Sequence, residues 1–317
     1  MEAVASDRRQ AQPGQVRGLT HVAEDLTDVS ARLTAFNLTY FLSAWVLALG
    51  AIALYWAHPA WFTFAAAFLI VSSRQQALLN CEHECVHRKF VRSRRANDVL
   101  GVWLLAAPVG SPFRAAQARH LAHHRLLGLP EDPDRALHTS EPPRDTPGGL
   151  LGYFVRGLLG AYAVMILFER DEEPAAPRGG IRALMPIATV QVLIAVGLSL
   201  AFAWWVYPAL WLAPLASLTT LSHLVRSYSE HAITPGEEHR HANRLITVRS
   251  NLFERSVVAP YWMNLHAEHH LLPSVPAPRL RQLRARLAAE PELPPVLERS
   301  SYFAALRQLF TSLRQSG

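Results

Sequence analysis

The sequence predicts an all-α integral membrane protein: four transmembrane helices in two hairpins, interfacial helices between and after them, and a helical cap on one side. Three observations carry this. No Asp, Glu, Lys or Arg occurs between Arg32 and Arg74, and none between Arg182 and Arg226. A helix needs ~20 apolar residues to cross a bilayer core, so each stretch is long enough to cross twice. Each stretch breaks near its middle, at His58-Pro59 and at Tyr207-Pro208. Long helices of soluble proteins present a polar face, and these stretches have none.

Charge orients the hairpins. Arg88, Lys89, Arg92, Arg94 and Arg95 follow the first, and Arg226, Arg240, Arg244 and Arg249 follow the second; the turns carry no Lys or Arg. Basic residues concentrate on the cytoplasmic side, so the open ends should face the cytoplasm. The turns hold Trp56 and Trp61 in the first hairpin and Trp204, Trp205, Tyr207 and Trp211 in the second, as expected of rings at the far interface. Both termini then lie in the cytoplasm. A bacterial inner membrane is the expected location.

The same logic requires that Val99–Phe113 does not cross. It is short, and Pro108, Gly110 and Pro112 break it, so a re-entrant or interfacial helix is expected. Leu150–Phe168, with Arg156 in mid-run, reads as a second interfacial helix. Residues 1–31 are polar and read as a cytosolic tail without a cleavable signal. Residues 32–290 read as the membrane domain, and 291–317 as a C-terminal amphipathic helix with Ser300 and Ser301 as candidate caps. Leu129–Gly149 reads as a surface loop. The two cysteines, Cys81 and Cys85, imply no disulfide framework and are expected to be packed. The net charge of +6 comes almost entirely from arginine, without the interleaved basic and aromatic pattern of a nucleic-acid site.

Eight of the 15 histidines fall into three groups: His83 and His87; His120, His123 and His124; His266, His269 and His270. Residues three and four apart share a helix face, so each group points its imidazoles one way. Imidazole suits iron, zinc, copper and nickel. A closed zinc site needs about four ligands, and eight are too many for one, so a dinuclear centre is the economical reading. His231 follows the second hairpin as His83 follows the first and is a ninth candidate. His223, inside a span, reads as a packed histidine. His21, His58, His138, His239 and His241 read as hydrogen-bonded helix-end residues.

The segments HECVH, HLAHH and HAEHH, with the further histidine of SEHA, resemble the three histidine boxes of the membrane fatty-acid desaturase superfamily. Asn264–Pro276 is similar to that family's third box and its trailing prolines, and Asp132-Pro-Asp134 matches a common pattern after the second. The resemblance implies a four-span, mushroom-shaped fold whose cytosolic cap holds two non-haem irons. The ligands it implies are His83, His87, His120, His123, His124, His231, His266, His269 and His270. It also implies O2 as co-substrate and two external electrons per turnover. Pro147-Gly148-Gly149 lacks the preceding histidine of a fused cytochrome b5 domain, so the electrons are expected from a separate ferredoxin, rubredoxin or cytochrome b5-type carrier.

Metal-bound imidazoles usually donate their other N–H to a carboxylate or carbonyl. Glu84, Asp134, Glu230, Asn264 and Glu268 are the candidates for that role. The expected activity is desaturation of a fatty-acyl or related apolar chain. The alternative is a hydroxylase or ketolase of the same superfamily acting on a carotenoid, alkane or secondary metabolite. A metal transporter is disfavoured, because its ligands would line the spans.

Overall fold

A computed structural model describes residues 19–139, 141–162, 180–232, 244–290 and 296–316. Its helices follow the hydrophobic pattern. α1 (Ala31–Ala57) starts at Ser30, whose Oγ accepts from Leu33 N, and ends at the His58-Pro59 break. α2 (Trp61–Val86) returns alongside it. α3 (Arg94–Val109) and α4 (Phe113–Leu126) meet at a bend of 98°. α5 is Pro147–Leu158, α6 Gly180–Ala201 and α7 Pro208–His231. α1, α2, α6 from Arg182 and α7 are long and apolar enough to cross a membrane.

The hairpins pack small residues inward and large ones outward. Ala44, Ala48 and Ala51 of α1 and Ala67 of α2 are buried, while Leu42, Val46, Leu47 and Leu54 are exposed. Small seams let membrane helices approach closely, and the exposed leucines face lipid. The turns meet at one end, where Trp56 lies 6.2 Å from Trp205 and 5.7 Å from Phe202. Trp61 and Trp204 stand open there, as interfacial rings should. Trp211 departs from that expectation. It is buried, stacks on Trp45 at 5.1 Å, and donates from Nε1 to Pro108 O at 3.1 Å.

That last bond belongs to the bend between α3 and α4. Pro108 and Gly110 interrupt the helix, and Gly110 takes a left-handed φ of +71° that suits a residue without Cβ. The exposed carbonyls are then satisfied from the second hairpin. Gln191 Nε2 donates to Ala107 O (2.9 Å) and Pro108 O (2.8 Å). Irregular backbone at membrane depth is tolerated only where protein supplies such partners. A 98° bend on a protein-clasped tip fits the re-entrant reading of Val99–Phe113 and swings α4 back beneath α2.

α5 is amphipathic. Leu150, Tyr153 and Phe154 are buried against Leu224 and Tyr228 of α7, whereas Leu151, Val155 and Leu158 are exposed. Only the part of Leu150–Phe168 up to Tyr162 lies within the described residues, as do neither His239 nor His241. α7 carries two π-helical turns, Pro208–Leu212 and Leu215–Thr219, before its regular last three turns.

The cap comprises β1 (Ile246–Val248), α8 (Leu252–Val257), α9 (His266–Leu271), α10 (Leu280–Leu287), β2 (Leu297–Arg299) and α11 (Tyr302–Ser316). β1 and β2 pair in parallel, Ile246 opposite Leu297. Within the C-terminal segment read as 291–317, residues 297–299 form a strand, too short to show a period of two, and the helix begins at Tyr302, directly after the candidate caps. Ser301 caps it, its Oγ accepting from Ala304 N at 2.9 Å.

Candidate metal centre

Every histidine group sits where a helix reaches the same end of the bundle. His83 lies in the last turn of α2, and His87 caps it. Arg88 then takes a left-handed φ of +56° and turns the chain away, with its N–H on Cys85 O at 3.0 Å. α4 presents His120, His123 and His124; α7 ends on His231; α9 presents His266, His269 and His270.

α9 is placed by a strained turn. Tyr261 and Trp262 both have positive φ, 62° and 60°. Such backbone costs ~1–3 kcal/mol per residue and persists only where the surroundings fix it. Here the Tyr261 hydroxyl donates to Asn37 Oδ1 (2.7 Å), Asn37 Nδ2 donates to Phe90 O (2.7 Å), and Trp262 packs on Phe36. The first hairpin thus anchors the loop that carries the third histidine group.

The nine imidazoles converge in two adjoining sets. His83, His87, His120, His124 and His269 have ligand atoms all within 4.8 Å of one another, as do His123, His231 and His270. His266 joins the second set, its Nε2 lying 3.0 Å from His231 Nε2 and 3.1 Å from His270 Nε2. In the first set, His120 Nε2 is 3.0 Å from His87 Nε2 and 2.9 Å from His124 Nε2, which is 3.1 Å from His269 Nε2. The His124 and His270 rings stack at 4.0 Å between the sets.

This arrangement fits metal. Two nitrogens each about 2.1 Å from one ion and at right angles around it are about 3.0 Å apart, the spacing seen here. Burial pushes the His87 imidazole down to about 3 and holds His120, His124, His266, His269 and His270 well below their ordinary range. They are therefore neutral, with a lone pair to offer. Convergent lone pairs cannot all satisfy one another. His83 is the clearest case, since neither of its buried ring nitrogens has a hydrogen-bond partner among the described residues. Such a set of donors suits a cation. The donors are all nitrogen and gather at one end of the bundle, which does not suit a transport path along the spans.

The supporting groups differ in part from those read in the sequence. Asp132, not Asp134, bonds the second histidine group: Asp132 Oδ1 accepts from His123 Nδ1 at 2.9 Å, and Oδ2 lies 3.2 Å from His138 Nε2. Burial opposes ionisation of Asp132, but these two histidines hold its carboxyl below the usual carboxylate range. Asp134 stands 3.9 Å from His123 Nδ1 and pairs with Arg119. Glu230 holds its place beside a histidine, with Oε2 3.7 Å from His266 Nδ1. His231 Nδ1 donates to Arg244 O at 3.1 Å.

Glu84, Asn264 and Glu268 turn elsewhere. Glu84 accepts from Ala277 N (3.2 Å), Asn264 Nδ2 donates to Val248 O (2.9 Å), and Glu268 accepts from Thr247 Oγ1 (2.6 Å). The reason is helical geometry. One residue past a ligand is turned about 100° from it, and two residues past about 200°. Glu84 and Glu268 occupy those positions after His83 and His266, and so brace the cap instead.

His138 is the residue the sequence did not single out. It ends a one-turn helix, Arg135–His138, as expected of a helix-end histidine, yet it is buried 5.2 Å from the His231 ring and 5.8 Å from that of His123. Its only sequence signal is its position four residues after Asp134. His223 is exposed, not packed. Cys81 and Cys85 are buried core residues with free thiols.

Two open clefts flank the first set. One, ~400 Å³, is lined by Val86, His87, Arg88, Arg114, Gln117 and Leu121 among others. The second, ~430 Å³, is lined by His87, Arg88, Lys89, Arg92 and Arg94 among others.

Comparison with known proteins agrees with this geometry. The sequence model described as Fatty acid desaturase matches residues 59–301. The chain is 25% identical to dihydrorhizobitoxine desaturase of Bradyrhizobium elkanii over 68% of its length and 65% of the relative's, just under two thirds of that protein. It is 26% identical to a beta-carotene ketolase of Paracoccus sp., covering 72% of this chain and 86% of the ketolase. It is 23% identical to an sn-1 oleoyl-lipid 12-desaturase of Anabaena variabilis, with 75% and 74% covered.

Proposed function

The chain belongs to the fatty acid desaturase family, and from that premise we propose that it is a membrane-bound, O2-dependent di-iron oxidoreductase that introduces a C=C bond into a fatty-acyl or related apolar chain. The single observation that carries this reading is the pair of adjoining, all-nitrogen pockets formed by nine buried imidazoles. His83, His87, His120, His124 and His269 would hold one iron, and His123, His231, His266 and His270 the other. Iron there supplies, with O2, an oxidant strong enough to break an unactivated C–H bond, which no side chain can do. The reaction balances as CH2–CH2 plus O2, two electrons and two protons giving CH=CH plus two waters.

The protein's own part is to gather nine imidazoles, to fix the tautomer of at least His123 and His231, and to exclude water from the second set. Asp132 and the Arg244 carbonyl each accept a hydrogen bond from an Nδ1–H, which leaves Nε2 of His123 and His231 free for metal. The buried second set is closed to solvent, whereas His83, His87 and His120 are only partly covered. Approach to the centre is therefore from the first set.

The two external electrons would come from a separate soluble carrier of the ferredoxin, rubredoxin or cytochrome b5 type. The clefts beside His87 support docking there, because Arg88, Lys89, Arg92, Arg94 and Arg114 surround them. Of these, Arg88, Lys89, Arg92 and Arg94 follow a span directly, which supports a bacterial inner-membrane protein with its histidines and both termini in the cytoplasm.

One observation favours a second reading: similarity to a ketolase equals that to desaturases. Oxygen insertion into the same kind of C–H bond is that alternative. Expression in a host lacking the enzyme, followed by untargeted mass spectrometry of lipids and small metabolites, separates them. A product two hydrogens lighter than its precursor is the expected result; a product with an added oxygen establishes the second reading.

A further inference from the structure

The second histidine set is braced by a buried group that originates outside the family match. That match ends at residue 301. Tyr302, the next residue, opens α11 and is buried. Its hydroxyl donates to Glu230 Oε1 at 2.6 Å. Glu230 also receives Arg226, from Nε to Oε1 and from Nη2 to Oε2, both at 3.1 Å. Arg226 Nη1 is held by Asn80 Oδ1 at 2.7 Å, so α2, α7 and α11 lock one carboxylate in place. Among the described residues the carboxylate also faces His266 Nδ1, at 3.7 Å. No described residue hydrogen-bonds this buried Nδ1, while the Nε2 of the same ring faces the second set.

We propose that Tyr302 is a positioning residue for metal binding: through Glu230 it fixes the imidazole of His266 and so tunes the four-histidine pocket, making α11 part of the metal centre. This rests on the di-iron reading above. The packing of α11 supports it independently. Leu309 and Leu313 are buried against Leu150, Phe154, Leu224 and Tyr228, so the helix is seated on α5 and α7, while Tyr302 at its start is held by its own bond to Glu230. Arg226 balances the Glu230 charge, and the carboxylate has acceptor capacity left for an imidazole N–H. Groups that hold a ligand in this way typically matter ~10–100-fold in metal affinity.

The test compares full-length wild type with Tyr302→Phe, which keeps the ring and removes only the hydroxyl, and with Leu309→Ala, which loosens α11 without touching Glu230. All three are loaded with 57Fe and followed by Mössbauer spectroscopy, iron content and thermal unfolding. The expected result is two quadrupole doublets in wild type, with one shifted or diminished in Tyr302→Phe while the other and the melting temperature hold. Glu230→Gln should perturb the same doublet, and Leu309→Ala should lower the melting temperature with both doublets in place. If Tyr302→Phe does not accumulate, Glu230→Gln against Leu309→Ala decides the matter by the same criterion. A Tyr302→Phe spectrum identical to wild type overturns the proposal. So does a loss of both doublets in step with Leu309→Ala, which would make Tyr302 merely structural. Wild type with no iron signal overturns the di-iron reading itself and the proposal with it.

Discussion

The two histidine sets share a ligand type but not an environment. The five-histidine set contains the three partly covered imidazoles, His83, His87 and His120, and opens into clefts. Its Nδ1 atoms are sparsely supported: those of His83, His124 and His269 have no hydrogen-bond partner among the described residues. The four-histidine set is fully buried and braced on two of its rings, Asp132 behind His123 and the Arg244 carbonyl behind His231; the Nδ1 atoms of His266 and His270 have no hydrogen-bond partner among the described residues, with Glu230 3.7 Å from the former. A pocket braced by charged groups is held in shape before metal arrives, whereas an open pocket can change its contents. The difference is one of exposure first: the proposed approach of reactants is from the partly covered set.

That comparison breaks most visibly when a ligand is removed. His269→Ala and His123→Ala should each abolish product formation, and each should lower iron content from about two to about one per chain by emptying its own pocket. Metal analysis of the two purified variants checks this; a variant that keeps both irons removes its residue from the ligand set. A smaller effect is expected on the braced side alone. Asp132→Asn keeps the shape but removes the charge, and should weaken iron in the four-histidine pocket by ~10–100-fold, read by competition with a chelator.

A third effect falls on stability. Arg226 and Glu230 are both buried, and Arg226→Leu leaves the carboxylate without its cation. Breaking a buried pair from one side costs ~3–5 kcal/mol. Thermal unfolding of Arg226→Leu should show that loss, and Arg226→Leu with Glu230→Leu should recover part of it. The mildest change belongs to the open side. Reversing Arg92 and Arg94 to Glu should raise the apparent KM for an acidic carrier ~10-fold at low salt, with kcat and iron content unchanged. Steady-state kinetics across ionic strengths checks it, and an unchanged KM moves carrier docking away from His87.

Much of this was legible in the sequence, for definite reasons. The spans were legible because lipid demands long uncharged runs, and His58-Pro59 and Tyr207-Pro208 break them where the hairpins turn. The convergence of the histidine groups was legible because i, i+3 and i+4 spacing on a helix is itself a geometric statement. Apart from Glu230, the supporting groups were not, because they are set by tertiary approach. Glu84 and Glu268 adjoin ligands in sequence and point away from them, while Asp132 and His138 reach the second set from a loop and a one-turn helix. Trp211 was read as an interfacial ring; its burial follows from the bend at Pro108–Gly110, which no linear pattern records. The β1–β2 pair joins segments some fifty residues apart (Ile246 opposite Leu297) and has no local signature.

The central claim is that nine imidazoles hold two irons and that these do the chemistry. It is tested most directly by metal analysis of purified protein alongside its turnover with O2 and reductant. The account predicts about two irons per chain, with activity proportional to iron content. Active protein carrying zinc alone at full occupancy would contradict it.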